Sequence, residues 1–90
     1  PSLDARVLAI ITTEGKQVTS LDSNSLVGLV LDKTNFYAEQ GGQLYDTGSI
    51  HLESGGEFVV SQVQVYGGYI LHSGSLKYGS LSLGDAVNCA

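Results

Sequence analysis

Basic residues are scarce in this chain. Arg6, Lys16, Lys33 and Lys77 face nine acidic residues, for a net charge of −5. A domain that grips nucleic acid alone shows a basic stripe, because phosphate contacts supply most of the affinity. Four scattered cations exclude that design, so any RNA is held mainly by other parts of a larger protein. Charge of either sign is thin, 14% of residues against a usual level of about a quarter. A surface with so little charge is expected to meet a neighbour. Cys89 is the only cysteine, which excludes an internal disulfide and fits a cytosolic protein. No run approaches the roughly 18 apolar residues of a membrane helix, and the N-terminus lacks the charged-then-apolar order of a secretory leader. The single proline stands first, and a start at Pro1 rather than Met points to an excised piece.

Helical patterning is absent too. No window of ten residues keeps an apolar period of 3.6. At 42% apolar the chain is nonetheless too hydrophobic for a disordered tail. Glycine punctuates short β-branched runs, which reads as an all-β domain of six or seven strands over residues 1–90. A small barrel is preferred to a sandwich, because closure removes open sheet edges. Arg6 to Thr13 is the first expected strand, followed by a turn at Glu14 to Gln17 and a return strand at Val18 to Leu21. Leu26 to Leu31 is the most continuous apolar run and should be buried on both faces. Gly28 within it suggests a bulge or the close approach of another backbone. Further strands are expected at Ser49 to Glu53, Glu57 to Tyr66, Tyr69 to His72 and Ala86 to Cys89. A phase change is expected near Ser61-Gln62. Ser73-Gly74-Ser75 follows the strand at Tyr69 to His72, and Leu76 to Leu83 reads as irregular.

Candidate chemistry concentrates between the second long strand and Gly48. The stretch Phe36-Tyr37-Ala38-Glu39-Gln40-Gly41-Gly42-Gln43 carries aromatics, a carboxylate and two amides, with Asp32 and Asp46 on its flanks. Gly41 and Gly42 permit close backbone approach, and Gln43 offers both a donor and an acceptor. Glu39 is the carboxylate best placed to face a partner; Asp32 and Asp46 are read as structural. Gly-Gly-Gln also occurs in release factors, but the helical, basic surroundings of those proteins are missing. His51, His72 and Cys89 lack the spacing of a zinc site, and both histidines read as half-exposed strand residues. Tyr66 and Tyr69 are expected to pack on the barrel rim across a Gly-Gly turn.

Together these residues resemble the alanyl-tRNA synthetases, in their eukaryotic cytoplasmic form. The likeness runs from Val30-Leu31-Asp32-Lys33-Thr34 through the Gly-Gly-Gln stretch to Asp46-Thr47-Gly48. It continues in Val63 to Gly74 and in Gly79 to Val87, and so covers most of the chain. The resemblance implies a β-barrel like those of translation factors, lying beside an editing core. It implies a cytoplasmic ATP- and Mg-dependent ligase with an editing zinc, whose ligands lie outside this chain. No cofactor, catalytic residue, DNA or membrane is then expected for the barrel itself. Its expected partners are the editing core and, through the parent, the acceptor end of tRNA(Ala). Tyr37, Glu39, Gly41, Gly42 and Gln43 would position the tRNA 3′ end for hydrolysis of mischarged Ser- or Gly-tRNA(Ala). The alternatives are a barrel of the free-standing trans-editing type, a structural spacer, or an independent RNA-binding module.

Overall fold

The computed structural model describes residues 3–22, 24–34, 43–44, 48–66 and 68–89. They form ten strands: β1 (Leu3–Thr12), β2 (Gln17–Val18), β3 (Ser20–Asp22), β4 (Leu26–Leu31), β5 (Gln43–Leu44), β6 (Gly48–Leu52), β7 (Glu57–Tyr66), β8 (Tyr69–Tyr78), β9 (Ser80–Ser82) and β10 (Ala86–Cys89). Six of them close into an antiparallel barrel in the order β10-β6-β7-β8-β4-β1, with β1 pairing back to β10. β2 extends the sheet beside β1, β5 lies along β7, and β3 pairs with β9 apart from the barrel. The expected all-β barrel is therefore the observed fold.

Burial follows from strand alternation. Ile10, Leu29, Ile50, Phe58, Val63 and Leu76 are fully buried and meet in one core. Burying each such side chain contributes roughly 1.5–3 kcal/mol. β4 is buried at every position after Leu26, as its apolar run implies. The phase change in β7 is real. Val60 pairs with Gly74 but Gln62 pairs with Ser73, which leaves Ser61 as the extra, bulged residue. Phe58 and Val60 therefore face inward before the bulge and Val63 after it. A second bulge, at Leu8 in β1, lies between the pairs Val7–Leu31 and Ala9–Val30.

Four expectations are corrected. Val18 to Leu21 is not one return strand: β2 stops at Val18, and β3 turns away to bury Leu21 against Leu81 of β9. The strand expected at Tyr69 to His72 does not stop there, because β8 runs straight through Ser73-Gly74-Ser75 to Tyr78. Gly74 is needed there for a close crossing. A Cβ on it would lie 1.9 Å from the Val59 carbonyl oxygen. Leu76 to Leu83 is not irregular, since it ends β8 and supplies β9. At Gly28 the close neighbour is the Leu71 side chain, 2.6 Å from a built Cβ, rather than a backbone.

Candidate functional site

The site is built at the end of the barrel where β4 gives out. Asp32 closes that strand: its Oδ1 accepts from the Arg6 N–H at 2.8 Å, and its own N–H donates to the Arg6 carbonyl at 3.0 Å. Asp32 thus has the structural role its position suggested. Lys33 is exposed and Thr34 half-buried. Tyr37, Glu39, Gly41, Gly42 and Asp46 lie outside the described residues. At Gln43 the backbone alone is described. It begins β5 and pairs with Gln64 of β7, while Leu44 pairs with Val63.

The structure corrects His72. It is fully buried rather than half-exposed. Its register partners, Leu29 on β4 and Val63 on β7, are both core residues, so the ring faces the barrel interior. Nδ1 lies 2.9 Å from the Leu29 carbonyl and Nε2 lies 2.7 Å from Thr34 Oγ1. Both polar atoms are satisfied, which makes the burial tolerable. Burial holds the ring below its ordinary pKa, against a smaller upward pull from the Leu29 carbonyl. The neutral ring is therefore favoured. A pattern for this emerges only once β8 is carried to Tyr78, which puts Ile70, His72 and Leu76 on one inward row. His51, by contrast, is exposed on β6.

Leu44, Val63, His72 and Leu29 form a single cross-strand row over β5, β7, β8 and β4. The strand preceding residues 35–42 and the strand following them are thus fastened to the same band of sheet. Beside Thr34 lies a shallow depression of ≈ 300 Å³ lined by Leu8, Val30, Asp32, Lys33 and Tyr69. Tyr69, expected to pack on the rim, is largely exposed here at 62%. The side chain of Tyr66 lies outside the described residues.

Residues 2–90 match the family model described as tRNA synthetases class II (A). The chain belongs to the alanyl-tRNA synthetase family. It is 53% identical to the alanine–tRNA ligase of Schizosaccharomyces pombe over 74 residues, covering 82% of this chain and 8% of that protein. It is 57% identical to the mitochondrial alanine–tRNA ligase of Saccharomyces cerevisiae over 60 residues, 67% of this chain and 6% of the relative. Against the cytoplasmic enzyme of Caenorhabditis elegans it is 48% identical over 85 residues, 92% of this chain and 9% of the relative. The chain therefore spans less than a tenth of the length of these alanyl-tRNA synthetases.

The zinc that the resemblance implies does not fit the residues described. Among them no three His, Cys, Asp or Glu side chains come together in a set able to hold a metal ion. His51 faces outward, His72 spends both nitrogens inside the barrel, and Cys89 is buried in the core. Among the described residues no helix is long and apolar enough to cross a membrane.

Proposed function

We propose that this chain is one module of an alanine–tRNA ligase, the ATP-dependent enzyme that charges tRNA(Ala), and that the module serves its editing reaction. In this reading the barrel presents the Gly-Gly-Gln stretch to a neighbouring editing core and shapes the pocket for the aminoacylated 3′ end. Gly41 and Gly42 admit close approach, Gln43 hydrogen-bonds, Glu39 faces the partner, and Tyr37 packs the stretch or the terminal adenosine. Hydrolysis of mischarged Ser- or Gly-tRNA(Ala) belongs to the neighbouring core. ATP, Mg and zinc are assigned to segments other than this one. A cytoplasmic location is part of the proposal, supported by the relative named cytoplasmic in Caenorhabditis elegans; the relative in Saccharomyces cerevisiae is named mitochondrial.

The observation that carries the reading is the anchoring of both flanks. Thr34 is bonded to His72, and Leu44 is paired to Val63 in the same residue row, with Gln43 paired to Gln64 beside it. A spacer needs no such double fastening of one segment. Placement matters for catalysis because a misplacement of about 1 Å costs about 10²-fold. In the full-length enzyme, Gln43→Ala and Gly42→Val should each lower deacylation of mischarged tRNA by about that factor while alanine charging is kept. Unchanged deacylation in both variants would sink the proposal. A loss that tracks a fall in melting temperature would assign the stretch to docking instead.

A further inference from the structure

His72 takes part in no reaction proposed above, yet it is a polar side chain held wholly inside a barrel of apolar ones. The hydrogen bonds to Leu29 and Thr34 define its state. A carbonyl oxygen only accepts, so the bond to Leu29 places the proton on Nδ1. In the neutral ring Nε2 is then the bare nitrogen, and the Thr34 hydroxyl donates to it. One ring thereby joins the middle of β4 to Thr34, which lies just beyond the strand's end. On the other side the ring sits opposite Val63, whose β5 partner is Leu44. The outgoing and returning flanks of residues 35–42 thus meet on a single side chain and its register partner.

We infer that His72 is a positioning residue for editing, acting as a fixed-tautomer template that holds Thr34, through its hydroxyl, at the point in the sequence just before the Gly-Gly-Gln stretch. This rests on the reading under Proposed function. A leucine or phenylalanine would fill the same volume, but it could not accept the Thr34 hydroxyl and donate to the Leu29 carbonyl at once. That pairing of roles is what a structural filler does not need.

The test uses the full-length enzyme, with each variant assayed at a temperature where circular dichroism shows it folded. Thr34→Val keeps the shape and removes the hydroxyl; Thr34→Ser keeps the hydroxyl. Thr34→Val should lower kcat for deacylation of Ser-tRNA(Ala) about tenfold with KM little changed, alanine charging should be unaffected, and Thr34→Ser should restore the rate. His72→Gln, which can still donate and accept, should lose less than His72→Leu. Wild-type deacylation in Thr34→Val overturns the inference, and so does an equal loss in Thr34→Ser. Gln43→Ala run alongside separates the two levels. A loss in Gln43→Ala with none in Thr34→Val removes only the role of His72. Wild-type rates in both remove the editing reading as well.

Discussion

At the scale of single residues the barrel depends on a neutral His72. Because burial lowers its pKa from the ordinary 6.5, the unfolded chain binds more protons than the folded one between the folded value and 6.5. Stability from this group is therefore present in full above about pH 6.5 and is lost as the pH falls through the folded value. Acid weakens many proteins through other groups, so the useful quantity is a difference. The gap in melting temperature between the wild type and His72→Gln should be widest at neutral pH and should shrink toward pH 5. A gap that is constant with pH would mean that the ring is not held neutral by the fold.

At the scale of strands, glycine decides which path β7 and β8 can take. Gly74 passes so close to β7 that an added Cβ would meet the Val59 oxygen at 1.9 Å and the Val60 Cα at 3.1 Å. Neither backbone atom can give way without breaking the pairing beside the Ser61 bulge. At Gly28 the obstacle is only the end of the half-buried Leu71 side chain, which can rotate toward the depression it lines. Gly74→Ala should thus cost at least about 3 kcal/mol, the upper end for overpacking, and Gly28→Ala about 1 kcal/mol or less. For a domain of this size about 1 kcal/mol moves the melting temperature by roughly 4–8 °C, so thermal unfolding separates the two; equal losses would refute the argument. The same contrast explains what the sequence made legible. Apolar runs such as Leu26 to Leu31 and the phase slip at Ser61 are local patterns, and both were readable. Gly74 within Ser-Gly-Ser carries the composition of a turn, and only the neighbouring strand, distant in sequence until folded, reveals its use. His72 failed to announce itself for the same reason. Its partners Leu29 and Thr34 lie some forty positions earlier, and a half-exposed strand histidine has the same local sequence. The Gly-Gly-Gln stretch stood out by residue type alone, while the fastening of its flanks needed the fold.

At the scale of the whole molecule, closure rests on β10, which pairs with β1 through Leu3–Cys89 and its neighbours and with β6 through Cys89–Ile50. Releasing that strand would expose two sheet edges and the core beneath Val87. Cys89 reports directly on that event. It is fully buried, and burial, with a further contribution from the negative charge of Asp32, raises its thiol pKa above the ordinary value. The reactive thiolate is accordingly both inaccessible and disfavoured in the closed barrel. If the barrel opens only by unfolding, alkylation must wait for the unfolded population. With a stability of roughly 5 kcal/mol or more, that slows the reaction at least about 10³-fold relative to the denatured chain. Iodoacetamide labelling followed by mass spectrometry measures the factor, and denaturant titration gives the stability it should match. Agreement would make closure and folding one cooperative event. Labelling much faster than the global stability permits would show instead that β10 detaches from β1 and β6 on its own, and that the barrel is closed by a separable last strand.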